Sequence, residues 1–143
     1  MNRRDILFSI QPAYAEQILN GQKTVELRRR FTDAPLSGSR AFFYATSPAS
    51  AIVGYADIQS VRRMEIEGIW NEYHQAIGID RTAFERYFAG AKSGYAIVLE
   101  HAARFDVALA LADLRRKIQF TPPQSFCYAP PICRAACSKE GKP

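Results

Sequence analysis

No stretch of about 18 apolar residues occurs anywhere in the sequence, so no segment is long enough to span a bilayer as a helix. The basic start, MNRRD, is followed by a short apolar run without a small-residue cleavage site, and a cytoplasmic protein without a secretory leader is expected. Cysteine is scarce: Cys127, Cys133 and Cys137 lie within eleven residues of one another. An odd, crowded set is no disulfide framework, and reduced thiols are expected. The spacing C-x5-C-x3-C supplies three thiolates but no nearby fourth ligand, so no metal site and no cofactor are expected. Only two histidines, His74 and His101, are present, and both are distant from the cysteines. The glycine patterns that cradle nucleotide phosphates, G-x-G-x-x-G and G-x-x-x-x-G-K-[ST], are absent, which excludes the usual dinucleotide and P-loop readings.

What is present suits one compact unit. Among 143 residues, 48% are hydrophobic and 12% aromatic, enough to build a core without staples. The net charge of +5 is unevenly spread. Arg28, Arg29 and Arg30 are consecutive, Arg115, Arg116 and Lys117 form a second basic cluster, and the stretch between 41 and 79 is mildly acidic. Two such clusters make a polyanion footprint if folding unites them, and solvated element ends if it does not.

Periodicity supplies the elements. Ile6–Ile10 reads as a strand, and Pro12 opens a two-turn helix closed by Asn20-Gly21. Lys23 to Arg28 alternates as a strand, with Val25 and Leu27 on one face and Thr24, Glu26 and Arg28 on the other. Ala41–Ala45 and Ala51–Ser60 follow as strands, the second carrying Gly54 as a mark of a bulge or a close backbone approach. Ile66, Ile69, Trp70, Tyr73 and Ile77 recur at helical spacing, and Asp80 caps a second short helix carrying Phe84, Tyr87 and Phe88. A strand over Tyr95–Glu100, a helix over Leu109–Lys117 and an extended piece from Pro122 complete the pattern. Residues 1–128 are expected to form the domain and 129–143 a flexible tail. Trp70, Tyr73, Phe43, Ile52 and Ile97 are expected in the core. Strands joined mostly to strands, with helices as insertions, predict an α+β fold around a small mixed sheet or barrel.

The chemistry concentrates between Ser9 and Arg28, SIQPAYAEQILNGQKTVELR. Lys23 leaves a glycine turn, and Glu26 and Arg28 are neighbours at i, i+2 on one strand face. A lysine, a carboxylate and an arginine so placed can read a base edge or hold phosphate, or can simply pair on an exposed strand.

The run S-I-x-P-x-(Y/F)-A-x-x-I-x-x-G-x-K-T-V-E-L-R resembles the opening of ASCH-domain proteins, members of the PUA-like barrel superfamily. Tyr44-Ala45-Thr46-Ser47-Pro48, Ile52-Val53-Gly54, Trp70, Tyr87-Phe88 and Pro123-Gln124-Ser125-Phe126 extend the resemblance over residues 5–128. It implies a small PUA-like β-barrel with helices packed across its openings. It also implies a cleft that receives RNA or a modified nucleotide, lined by Gln11, Lys23, Thr24, Glu26, Arg28, Tyr44, Thr46, Ser47, Gln124 and Ser125. Within that reading, Tyr44 stacks on a base, Glu26 accepts from an exocyclic amine, and Arg29, Arg30, Arg115, Arg116 and Lys117 form an electrostatic rim. One branch of the family resembles amidohydrolases that deacetylate N4-acetylcytidine with a lysine, a threonine three residues later and a distant glutamate. Here Glu26 stands three residues after Lys23, and Glu65, Glu67 and Glu72 are all candidates for the distant acid. The leading expectation is therefore an RNA- or nucleotide-binding domain. The alternative is a hydrolase, amidohydrolase or ribonuclease, using Lys23 and Glu26 with Tyr44 or Ser125 assisting. A protein-interaction role, signalled by an exposed apolar face on the Trp70 helix, is the third.

Overall fold

The computed structural model describes residues 4–140 of the chain. Its elements are β1 (Ile6–Ile10), α1 (Pro12–Leu19), β2 (Val25–Arg28), β3 (Arg40–Ala45), β4 (Ala51–Glu65), α2 (Ile66–Tyr73), α3 (Arg81–Tyr87), β5 (Ser93–Ala110), α4 (Leu111–Ile118), β6 (Phe126–Tyr128) and α5 (Pro131–Glu140). The strands form one mixed sheet in the order β2-β5-β4-β3-β1-β6. Pairing is antiparallel except for β1 beside β3, where Phe8 lies opposite Phe43. The sheet curls into a half-barrel, as expected for an α+β fold of this kind. Among the described residues no helix is long and apolar enough to cross a membrane.

The curl has a local cause. The β4–β5 pair slips register at three places, between Ile52 and Gly54, Tyr55 and Asp57, and Ile58 and Ser60. Each irregularity adds twist and bends the strand. Gly54 stands at one of them, with β5 pressed against it. A Cβ there would lie 2.7 Å from Leu19 Cδ2 and well inside contact distance of the Ala103 carbonyl oxygen.

β1 and β3 are buried on both faces, which explains their unbroken apolar sequences. Phe8, Ile10, Phe43 and Ala45 face a first cluster that takes in Ile97, Leu99 and the α1 residues Ala15 and Ile18. Leu7, Phe42 and Tyr44 face a second, with Ile52, Phe105, Leu114 and Phe120. A third lies where Val25 and Leu27 meet Ile69, Ile77, Phe84 and Phe88 of the α2–α3 segment. Phe43, Ile52 and Ile97 are fully buried, while Trp70 and Tyr73 are only partly buried against the third cluster.

Four elements differ from the sequence expectation, the first being β4, which runs to Glu65 in place of Ser60. β5 runs ten residues past Glu100, through an alanine-rich stretch that does not alternate cleanly. The helix around Trp70 ends at Tyr73, leaving a turn before Gly78 (φ +73°). In place of a flexible tail after 128, the chain forms α5, which seats Cys133 and Cys137 in the second cluster; residues 141–143 of that expectation lie outside the described residues. Burial pushes the Cys133 thiol up to about 12 and raises those of Cys127 and Cys137, so the three behave as packing groups.

The α2–α3 segment leaves and rejoins a continuous hairpin, since Glu65 at its start pairs with Ser93 at its end. It also covers the free edge of β2. The Ala76 carbonyl accepts from the Thr24 and Val25 amides, and the Tyr87 hydroxyl donates to Leu27 O and accepts from Arg29 N. An edge strand with its backbone groups engaged does not recruit another strand.

Replacing Gly54 with Ala should lower stability by about 1–3 kcal/mol, the usual cost of forcing atoms into a packed site. Denaturant unfolding measures it, with Gly38→Ala, whose added Cβ meets nothing within 4 Å but whose φ is +87°, as a comparison of pure backbone strain.

Candidate functional site

The glycine turn Asn20-Gly21 delivers Lys23 to the head of β2, and the Lys23 amide returns to Gln17 O of α1. Strand alternation then places Glu26 and Arg28 on the face opposite Val25 and Leu27. All three charged side chains are nearly buried, with 4%, 6% and 9% exposure. The exposed strand face that spacing alone permitted is thus an enclosed charge cluster.

Glu26 is its centre. One carboxylate oxygen, Oε2, accepts from Arg28 Nε at 2.8 Å and lies 2.7 Å from Nη2, while Oε1 lies 3.7 Å from Lys23 Nζ. Lys23 Nζ also donates to Ile77 O at 2.5 Å and sits 5.5 Å from the Tyr14 ring centre. Desolvation lowers the Lys23 pKa below the ordinary lysine value, and the opposing charge of Glu26 recovers only part of that loss.

Arg28 crosses the seam between the two ends of the sheet. Nη2 donates to Ser9 O of β1 at 3.0 Å, and Nη1 donates to Ser125 O and Oγ at 3.3 and 3.2 Å. With Nε on Glu26, the guanidinium finds an acceptor for each of its three nitrogens and stacks 4.9 Å over the Phe8 ring. Ser9 is held from the other side, its amide donating to Ser125 O and its hydroxyl to Pro123 O.

Two of the clefts beside this cluster share a wall. The first is a narrow, largely apolar slot of about 120 Å³, walled by Tyr14 of α1 and by Ile79, Ala83 and Tyr87, with Lys23, Glu26 and Leu27 as its floor. The second is lined by Arg28, Arg29, Arg30, Tyr87 and Ser125. Tyr87 stands between them, and Arg29 Nη1 fastens this corner by donating to Tyr87 O and Ala89 O at 2.9 Å each. Burial, with smaller opposing contributions from Arg28 and Arg29, raises the Tyr87 phenol pKa and keeps it a neutral donor.

The expected site residues divide accordingly. Lys23, Glu26, Arg28 and Ser125 come together. Gln11 is exposed at the start of α1, and Thr46 and Ser47 lie just past β3, where the Thr46 amide donates to Ile10 O. These three mark the common end of the parallel pair β1–β3. Thr24 faces out and Gln124 is exposed beside Ser125. Tyr44 does not join the slot: it is 4% exposed and packs on Phe120 in the second cluster, because a strand buried on both faces turns every second residue away from the barrel interior. The basic clusters are not united either. Arg28–Arg30 adjoin the start of β5, whereas Arg115, Arg116 and Lys117 follow its far end on α4, with Arg116 paired to Asp113.

Sequence reasoning passed over the slot walls Tyr14, Ile79, Ala83 and Tyr87 as site residues. A trace was there, since Phe84 and Phe88 form the buried i, i+4 stripe of α3 and leave Ala83 and Tyr87 as an adjacent stripe facing elsewhere. Among the described residues no group of three or more His, Cys, Asp or Glu side chains is placed to hold a metal ion.

Comparison with known proteins gives the following likenesses. The family described as a domain of unknown function (DUF365) matches residues 4–122. An ASCH domain-containing ribonuclease of Zymomonas mobilis is 29% identical over 129 residues, covering 89% of this chain and 85% of that protein. The crystal structure of ASCH from Zymomonas mobilis superposes with a TM-score of 0.87 at 25% identity, covering 96% of each chain. The N-terminal domain of Staphylothermus marinus McrB shares the fold at a TM-score of 0.58 and 10% identity, covering 99% of each.

Glu26→Gln removes the one anion between two buried cations and should cost about 3 kcal/mol of stability. Its Coulombic support gone, Lys23 should lose its proton at a still lower pH than in the parent protein. An NMR titration of the lysine side-chain nitrogens reads this directly, and an unchanged Lys23 midpoint would contradict the coupling.

Proposed function

This chain belongs to the DUF365 family and to the ASCH-domain proteins, and on that premise we propose that it binds RNA or a nucleotide derived from it. One base enters the slot between Tyr14 and Tyr87, and the adjoining phosphate lies toward Arg29 and Arg30. The observation that carries this reading is the shared wall: Tyr87 lines both the narrow slot and the arginine cleft. A slot with aromatic walls and a polar floor suits a single planar heterocycle. Glu26 lines the slot, and its Oε1, 3.7 Å from Lys23 Nζ, accepts from an amino or imino N–H of the base. Arg28 serves chiefly to hold the floor, because its donors are spent on Glu26, Ser9 and Ser125. The name of the Zymomonas relative supports RNA as the ligand class.

A second reading, a hydrolase acting at the same place, is favoured by the same relative's designation as a ribonuclease and by the lowered pKa of buried Lys23. An amine less strongly protonated than usual is a competent proton acceptor or electrostatic stabiliser. This reading requires turnover without added cofactor and its loss in Lys23→Ala.

Titration of labelled single-stranded RNA at about 50 and about 200 mM salt tests the proposal. Saturable binding that weakens steeply with salt is expected, and Arg30→Ala should shallow the log–log salt slope by about 1. Tyr87→Ala should weaken binding about tenfold through lost stacking. Glu26→Gln should alter the preference among homopolymers more than the mean affinity, and equal losses on every base would remove its reading role. Absence of binding at low salt would overturn the proposal.

A further inference from the structure

The arginine cleft has a volume of about 290 Å³, and no carboxylate is among the residues that line it. Elsewhere on the surface Arg62, Arg81, Arg104 and Arg116 each hold a carboxylate. Arg29 and Arg30, adjacent in the chain and in the cleft, hold none among the described residues. Arg29 bonds through Nη1 alone, to Tyr87 O and Ala89 O, which fixes its guanidinium and leaves Nε and Nη2 as donors. Arg30 is exposed, and its side chain makes no hydrogen bond or ion pair among the described residues. The Ser125 hydroxyl accepts from Arg28 and keeps its own proton to donate. Across the slot and this cleft, four cations (Lys23, Arg28, Arg29 and Arg30) stand against one anion, Glu26, an excess of three.

That excess lies beside one wall of the slot. Tyr87 is the wall shared with the arginine cleft, whereas Tyr14, Ile79 and Ala83 carry no charge. A further cleft meets the slot at Lys23, but no arginine lines it and Glu100 brings a carboxylate into it. The basic residues of α4 line none of these three clefts. A nucleotide inside a strand carries a phosphodiester on each side, and each brings a single charge. A phosphomonoester at a strand end brings close to two charges and three acceptor oxygens. One seat rich in unpaired guanidinium groups matches the terminal group, and a strand running through would need two seats.

We propose that this site takes a terminal nucleotide, with its base in the slot and its phosphomonoester in the arginine cleft. The proposal rests on the RNA reading given above and narrows its ligand. A phosphorylated strand end and a free nucleoside monophosphate share the required group. Arg29 and Arg30 donate to the phosphate oxygens, and the Ser125 hydroxyl adds a third donor. Because Arg29 is already held by two carbonyls, little of its side-chain freedom remains to be lost on binding. Arg28 stays on Glu26, Ser9 and Ser125 and contributes its charge from behind.

The full chain is titrated with a single-stranded RNA oligomer carrying a 5′-phosphate, a 3′-phosphate or hydroxyl ends, and with free nucleoside monophosphates. One of the phosphorylated ends should bind about tenfold tighter than the hydroxyl-ended oligomer, the worth of a charge-assisted hydrogen bond. Doubling the length of that oligomer should leave its affinity nearly unchanged, because added internal phosphates meet no basic seat. Arg30→Ala, which removes an exposed side chain without a bonding partner, should shrink the preference for the phosphorylated end several-fold. The tighter binder of the phosphorylated oligomer and the free monophosphate identifies the source, and either ranking upholds the proposal. Equal binding of phosphorylated and hydroxyl-ended oligomers, affinity that climbs steadily with length, or a preference untouched by Arg30→Ala overturns it and leaves the binding reading intact. No binding of any of these probes at low salt overturns that reading, and this proposal with it.

Discussion

A single guanidinium bridges the two ends of this curled sheet. The sheet ends at β2 on one side and at β1–β6 on the other, and Arg28 spans the gap by donating to Ser9 and Ser125 while its own strand neighbour Glu26 balances its charge. Phe31 packs across the same gap against Phe8, Phe126 and Tyr95. A seam held by a cation demands burial, since water would compete for every donor, and burial demands a counter-ion, since an unpaired cation there would be prohibitive. Lys23 exists in the same accounting, as a second cation 3.7 Å from Glu26 Oε1, and both residues line the slot. The residues that complete the fold are therefore the residues that give the slot its polar floor. Stability and recognition are drawn from one cluster, and substitutions there change both.

The slot extends the same economy. Its walls come from α1 and from the α2–α3 excursion, outside the ladders of the sheet, while Glu26 and Leu27 of its floor stand on β2. The register slip of the β4–β5 pair likewise sets His101 beside Asp57, where a regular strand would alternate it past.

Much of this was legible in the residues. The short strands, the proline-led start of α1, the Asp80 cap accepting from Ala83 N, and the close approach at Gly54 all follow from local rules that tertiary structure did not override. The Glu26–Arg28 pair was legible because strand alternation is local, whereas Lys23 joins it from the turn before β2, outside that alternation. The pair's burial was not, because a strand of four residues carries no mark of what closes over it. Tyr44 shows a different limit. In AFFYA every residue is apolar or aromatic, so period-two reasoning cannot say which face looks into the barrel, and the side chain faces α4 and α5 instead. Tyr14 and Tyr87 are brought opposite one another only by folding, and α5 was hidden by a Pro, Ala and Lys composition that reads as unstructured.

The hairpin pairing of Glu65 with Ser93 carries a consequence for how such a protein changes over generations. Everything between those two residues is, topologically, an enlarged loop, tied to the scaffold by the buried Ile69, Ile77, Phe84 and Phe88 and by the Ala76 and Ile77 carbonyls, while its remaining surface is open to exchange. One wall of the slot, Ile79, Ala83 and Tyr87, is carried entirely on that loop, while its floor is anchored in β2 and the turn before it. The two halves of the pocket are thus inherited on partly separate terms. A lineage that keeps Ile77 and the buried phenylalanines can vary Ile79 and Ala83, and with them the shape of the molecule admitted, above the same charged floor.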